Sequence, residues 1–521
     1  MTNKTRKNTV SVLLPKRFAA LFVGLFLSIS TSFAQTVTAP SNQRTKSEQA
    51  AIDALSKDID AAIKSKYADN ALWGITIQSL KTGEVIYETN AKKSFLPASN
   101  MKLVTTALAL TSLTPTFQFS TELFTNGKFN KKVMTGDLII RGAGDPTFGS
   151  TAMFPDKDPS SVFKQWVDTL LKRGIEKIEG NIIVDDTYFT SDVYPMGWSI
   201  DDAPFYYATQ TSALSFADNV VSVSVAPNAQ PGSRPFVAII PETDYVEKDN
   251  TAVTVPTEDT SLIPLTISRV MGGNEISISG EIPKGSKAVF EQITVESPSL
   301  YAGTVYKEEL QFAGITVTGG VLTSRELKEK LQYNSLTPLG SVQSPPLPEI
   351  LKVMNKRSNN FFAEQLFRTV AKESGGKGDW KTGADAAKKY LALIGIADDR
   401  FSIADGSGLS RMDMVTPEGI LTILRTIQRD SKLYPPFLES LAIMGKDGTL
   451  SDRLKGTPAE GKVFAKTGGL TGVRSLAGYC TDADGEQFAF CIITNNFTSP
   501  MREITALQDS IALRLVNFSR K

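Results

Sequence analysis

The chain changes character twice along its length, and this limits its fold more than any other feature. From about 118 to 336 it reads as short strands, among them "GDLIIRGAGDPTF", "GNIIVDDTYF", "NVVSVSVAP", "PFVAII", "NEISISGEI" and "ITVTGGVL", separated by Gly, Pro, Asn and Asp. One amphipathic helix, "SSVFKQWVDTLLKRG", interrupts them. Before this stretch lie a helical run (46–65), a hairpin around Lys81-Thr82-Gly83 and an apolar helix from Met101 to Leu113. Beyond "SPPLPE" helices return as "ILKVMNKR", "NFFAEQLFRTVAK" and "GADAAKKYLALIG". Strands at "KVFAKTGG", "SLAGYC" and "FAFCIITN" follow, with a last helix from near Arg502. The two ends, 46–117 and 337–521, therefore read as one α/β domain. The middle, 118–336, reads as a β-rich insertion of one or two modules.

Composition narrows the chemistry. There is no histidine in the 521 residues, which removes Ser-His-Asp and Cys-His catalysis and imidazole-dependent zinc sites. Lys+Arg (56) and Asp+Glu (55) balance, so nothing asks for nucleic acid or an anionic surface as a partner. At the N-terminus, Lys4, Arg6, Lys7, Lys16 and Arg17 precede an apolar run from Phe18 to Ile29 and then "STSFA". This is the layout of an export signal cut after Ala34. The alternative is a membrane anchor, but the run is well short of the roughly 20 residues that span a bilayer. The mature protein is expected to be soluble and outside the cytoplasm.

Without histidine, a nucleophilic serine needs another base, and a lysine serves once burial lowers its pKa. Ser-x-x-Lys occurs three times, at Ser99, Ser161 and Ser374. Only Ser99 opens a long apolar helix able to desolvate its lysine, Lys102, one turn on and on the same face. Placing Ser99 at a helix start also aims backbone N–H dipoles at a reacting carbonyl. Two further elements complete a lysine-assisted serine site, Ser-x-Asn and Lys-Thr-Gly. Among all asparagines only Asn360 has a serine two places earlier, Ser358; alone, that motif reads as a helix cap. Lys-Thr-Gly occurs three times, and only the copy at Lys466 follows an apolar strand downstream of the Ser-x-Asn.

Ser99, Ser358 and Lys466, in that order, are far more specific than any one motif. With "PASNMKL", "GDLIIRGAGDPTF", "SPPLPEILKVMNKRSNNFFAEQLFRTV", "ADGSGLSR" and "FAKTGGLTGVRSLAGY", the chain resembles the penicilloyl-serine transferases over roughly 48–517. More narrowly it is similar to the class C low-molecular-mass penicillin-binding proteins, the D-alanyl-D-alanine carboxypeptidase/endopeptidases. The resemblance implies an α/β (α+β) β-lactamase/transpeptidase-like domain, an antiparallel sheet flanked by helices plus a helical subdomain, with two inserted β-rich domains in the long gap between Ser99 and Ser358. It implies that Ser99 attacks the carbonyl between two D-alanines of a peptidoglycan stem peptide and that Lys102 takes its proton. Ser358 would relay a proton to the leaving amine, and Asn360 would hold Lys102 and the substrate amide. Lys466 would help depress the pKa of Lys102. With Thr467 it would also bind the terminal carboxylate, in a substrate-binding strand continued by Gly468 and Gly469. The N–H groups of Ser99 and Gly469 would form the oxyanion hole. Many relatives carry a hydroxyl residue where this chain has Gly469. Penicillin would stall the enzyme at the acyl stage, in a Gram-negative periplasm.

"GWSIDDAPFYY" resembles a segment that approaches the active site in this family, where Asp202 would pair with the amine of a diaminopimelate side chain; a surface turn is the alternative. Asp405 and Arg411 in "DGSGLSR" would shape the cleft floor, or Asp405 would hold a turn. "GTPAEGKV" fails as a P-loop because Val463 stands where Ser or Thr binds magnesium. No cofactor and no metal enter this reading. A β-lactamase or esterase on the same core, and a non-catalytic cell-wall scaffold, remain as alternatives.

Cys480 and Cys491 flank "TDADGEQFAF", two strands around an Asp-Gly turn. A turn near Asp484 does not bring them opposite each other, so both are expected to be free thiols, and a two-cysteine metal site is the weaker reading. Alkylation in denaturant should add two adducts without reductant. An intact mass that rises by two hydrogens on reduction would reverse this.

Overall fold

The strand Gln487–Asn495 shows how the sheet is covered. Phe488, Phe490 and Ile492 point into one hydrophobic cluster, and Ala489, Cys491 and Ile493 into another. Side chains alternate across a strand, so a continuous apolar run means that both faces are buried. The computed structural model describes residues 44–257 and 261–521. The export signal expected over 1–34 lies outside the described residues. The chain divides after Gln49 into two units; only 44–49 of the first are described, and the second runs from Ala50 to Lys521.

Within the second unit, that strand belongs to a six-stranded sheet in the order Val85–Thr89, Leu72–Ser79, Gln487–Asn495, Val473–Thr481, Val463–Leu470, Ala442–Ile443, antiparallel throughout. The two ends of the chain thus share one sheet. On one face lie residues of the helices Lys46–Ile63 (Ile52, Leu55 and Ile59) and Met501–Val516. On the other lies the helical layer: Met101–Leu113, Leu347–Lys356, Asn360–Glu373, Trp380–Leu393 and Pro417–Arg429. The Met101 helix is buried nearly all round, as its sequence requires. Cys480 faces Phe488 and Cys491 faces Ala477 across the ladder, and both are buried free thiols.

The middle region carries its own sheets and a second large core. A five-stranded sheet runs Val321–Thr323, Ile182–Asp185, Leu138–Arg141, Ser120–Thr125, Thr337–Gln343. A three-stranded sheet pairs Phe236–Ile240 and Val289–Thr294 with Val220–Ala226 between them. Because Thr337–Gln343 pairs with Ser120–Thr125, this region's sheet extends beyond the boundary expected at 336. The helix Lys164–Lys172 was expected; Pro298–Phe312 was not. Its two tyrosines, valine and glycine are poor helix formers, and burial on several sides removes the amphipathic stripe. Gly303 lets it press on the neighbouring strands: a Cβ there would lie 2.6 Å from Val184 and from Val321. The helices Pro417–Arg429 and Tyr434–Ser440 also go beyond the sequence reading.

The insertion is keyed to the helical layer by a buried cation. Arg368, 0% exposed on the Asn360 helix, donates to the carbonyls of Thr190, Asp192 and Thr211, which belong to the insertion, and to that of Gly378. Its guanidinium also stacks on Phe189 and Trp380. No helix among the described residues is long and apolar enough to cross a membrane.

Candidate active site

Ser99 sits in a single 3-10 turn, Ala98–Asn100, that runs directly into the Met101 helix. Asn495 accepts from Leu96 N (2.8 Å) and donates to Leu96 O, and Ser475 Oγ donates to Pro97 O (2.7 Å). Two glycines close on this turn. A Cβ on Gly468 would lie 2.1 Å from Ser475 Oγ and 3.0 Å from Ser99 N, and one on Gly408 would lie 1.9 Å from Ala98 O. Ala98 is held at φ 47, a left-handed conformation costly for a residue with a Cβ, and Ser358 at φ 58. Strained backbone thus adjoins one serine of the site and lies at the other.

Lys102 is fully buried, and its Nζ lies 3.0 Å from Ser99 Oγ, 2.6 Å from Asn360 Oδ1 and 2.9 Å from Ser407 O. Burial lowers its pKa to about 8; the carboxylates of Asp405, Glu364 and Asp413 oppose that fall. Lys466 is also buried, and its Nζ donates to Ser358 Oγ (2.9 Å) and to Thr467 O (2.8 Å). Burial, then repulsion from Lys102, holds its pKa well below the usual lysine range. Burial is the largest cause for both amines, and their mutual repulsion disfavours both being charged at once. Thr467 Oγ1 donates to Thr449 Oγ1 (2.8 Å), beside the cleft. Gly469 lines the cleft with Ser99, whereas Gly468 is buried beneath the nucleophile's turn. Arg474, paired with Gly469 across the strands, places Nη1 2.6 Å from where a Cβ at 469 would stand, so the side-chain space is already occupied.

The cleft holds about 630 Å3. Its far side comes from the insertion, where Asp202 is half-buried and accepts from Tyr207 OH (3.0 Å). Arg411 lines the cleft and donates to Thr471 O. Asp405 holds the turn below: it accepts from Gly408 N (2.6 Å), Ser410 N (2.7 Å) and Trp198 Nε1 (2.8 Å).

Several site residues escaped the sequence reading. Glu364 is 0% exposed and accepts from Gly406 N, Ser407 N (2.7 Å) and Trp380 Nε1 (2.7 Å), so it fixes the loop whose Ser407 carbonyl holds Lys102. Burial and the nearby Asp405 raise its pKa to about 7. Its signal was the i, i+4 spacing from Asn360, which places both on one helix face. Asp413 accepts from Ala404 N, and Tyr207 offers its backbone carbonyl to Asn360 Nδ2 (2.8 Å); neither position carries a local pattern.

Among known proteins, the model of the D-Ala-D-Ala carboxypeptidase 3 (S13) family matches residues 55–515. The chain is 33% identical over 477 residues to a D-alanyl-D-alanine carboxypeptidase of Actinomadura sp. (strain R39), covering 89% of this chain and 85% of that protein. It is 30% identical over 442 residues to D-alanyl-D-alanine carboxypeptidase DacB of Haemophilus influenzae, covering 84% of this chain and 88% of that protein. The crystal structure of penicillin binding protein 4 from Haemophilus influenzae superposes with a TM-score of 0.76 at 26% identity, covering 88% of this chain and all of that one.

The two-glycine clamp on the Ser99 turn can be tested by stability. Gly408→Ala drives a methyl into the Ala98 carbonyl and should cost about 3 kcal/mol or more in urea unfolding. Gly485 has a similar left-handed φ of 82 but open space around it, so Gly485→Ala should cost only about 1 kcal/mol. Equal losses would mean that conformation, not the clamp, sets the requirement at 408.

Proposed function

Because the chain belongs to the D-Ala-D-Ala carboxypeptidase 3 (S13) family and is a D-Ala-D-Ala carboxypeptidase, we propose that Ser99 is its nucleophile and Lys102 the base that activates it. The observation that carries this is the buried Lys102 amine, held at 3.0 Å from Ser99 Oγ with its pKa lowered to about 8. Lys102 takes the Ser99 hydroxyl proton as Oγ attacks the carbonyl carbon of the penultimate D-alanine. The N–H groups of Ser99 and Gly469 receive the oxyanion. The C–N bond then breaks, the leaving amine gains its proton through Ser358, and an ester on Ser99 remains. Water, deprotonated by Lys102, hydrolyses that ester. Lys466, Thr467 and Thr449 meet the terminal carboxylate, and Asn360 orients both Lys102 and the substrate amide.

The substrate is a peptidoglycan stem peptide. A β-lactam, whose amide mimics the D-Ala-D-Ala bond, acylates the same serine. Asp202, half-buried on the cleft wall, pairs with the amine of a diamino residue in the stem. Cross-links ending in a D-alanyl bond are cut by the same chemistry. The basic and apolar start of the sequence supports export to the periplasm.

Incubation of the protein with a penicillin should leave a stable adduct on the Ser99 peptide, read by mass spectrometry and absent from Ser99→Ala. Rapid drug turnover would indicate a β-lactamase instead, and a folded protein with neither adduct nor hydrolysis a scaffold.

The acylation rate should depend on pH through Lys102. The reactive form is the free amine, so the rate falls about tenfold per pH unit below about 8 and levels off above it. A rate independent of pH between 6 and 9 would exclude Lys102 as the base.

A further inference from the structure

Removing a single D-alanine asks little room of the leaving group, but cutting a cross-link releases a whole second peptide that carries free carboxylates. Beside the catalytic cleft lies a second cavity of about 300 Å3. Tyr206, Arg357 and Asn359 line both, so the two spaces adjoin. Arg357 and Asn359 are the chain neighbours of Ser358, the residue assigned above to the leaving amine. The second cavity therefore opens on the leaving-group side of the scissile bond, and its far wall is supplied by Thr151, Asp218 and Gln292 of the insertion.

The polar groups there favour an anion. Arg357 is exposed, and among the described residues no acid lies within ion-pair distance of it and no acceptor takes its guanidinium. Asn359 spends its side-chain oxygen on Phe362 N (3.0 Å) as a helix cap, which leaves its amide N–H groups as donors. The one acid among the residues lining this cavity, Asp218, is buried and already accepts from Ser150 Oγ, Thr151 N, Thr151 Oγ1 and Ala152 N. A planar guanidinium beside a free amide fits a carboxylate in a two-point grip.

We propose that this side cavity is the subsite for the amine-donating peptide of a cross-link, with Arg357 gripping a carboxylate of that peptide. The cavity then serves endopeptidase cleavage and not the trimming of a free D-Ala-D-Ala end. The proposal rests on the assignment of Ser99 and Ser358 above.

The test compares kcat/KM of the full protein on a cross-linked muropeptide dimer, on a monomeric pentapeptide, and on the same dimer with the carboxylates of its amine-donating peptide amidated, save the one on the carbon bearing the scissile nitrogen, which Lys466 and Thr467 meet. Arg357→Gln should lower the ratio of dimer to monomer cleavage about 10- to 100-fold, the worth of one charged hydrogen-bonded contact. Amidation should impair the dimer for the wild type and make little difference to Arg357→Gln. Ala152→Phe, which narrows the cavity from the insertion side, should lower the same ratio. A ratio unmoved in both variants, an amidated dimer cut as fast as the acidic one, or a wild type that trims the monomer and leaves the dimer whole would each overturn the subsite. A wild type that trims neither and takes no penicillin on Ser99 would overturn the proposed function itself, and the subsite with it.

Discussion

The buried amine of Lys102 is the constraint on which the rest of the site depends. A lysine with no exposed surface carries a heavy desolvation cost in its charged form, and relief comes from oxygen neighbours or loss of the proton. Here both operate. Three oxygens surround Nζ, and three carboxylates, Asp405, Glu364 and Asp413, pull against burial. The result is an amine poised near neutrality. Each oxygen comes from a different part of the chain: the 3-10 turn, the head of the Asn360 helix and the loop at 406–408. The position of one nitrogen thus specifies how three segments must meet.

The carboxylates beneath it hold one another in check. Burial and Asp405 raise Glu364 to about 7, and burial holds Asp413 well above the usual carboxylate range. Adjacent buried acids titrate as a set, so the pH response of this floor belongs to the cluster more than to any one carboxyl. Backbone N–H groups at 404, 406 and 407 neutralise much of it, so the loop conformation and the charge state are linked.

The features legible in the sequence are the local ones. Ser99 and Lys102 share a helix face, Ser358 and Asn360 a loop, and Lys466 follows an apolar strand; each declares itself within a few residues. The Gln487–Asn495 strand was equally readable, because a run apolar on both alternations belongs inside a covered sheet. Glu364 was half-legible through its spacing from Asn360. Ser407 holds Lys102, and Tyr207 holds Asn360, through backbone carbonyls, which no side-chain pattern can announce. The helix Pro298–Phe312 failed for a different reason: tertiary burial on several sides overrode weak propensity, and only contacts distant in sequence make it helical. The clamp on the Ser99 turn was hidden in the same way, since Gly408 and Gly468 matter for the backbone that approaches them from elsewhere.

Arg368 has a historical consequence. Its guanidinium sits in the helical layer, yet much of its hydrogen bonding is met by carbonyls of the inserted segment, at Thr190, Asp192 and Thr211. Excising the insertion would remove these acceptors together with Phe189, which covers one face of the guanidinium, so the charge and the helix around it would meet water instead. The insertion is therefore not a removable ornament: a lineage that sheds it has to remake this face of the helix that carries Asn360 as a solvated surface.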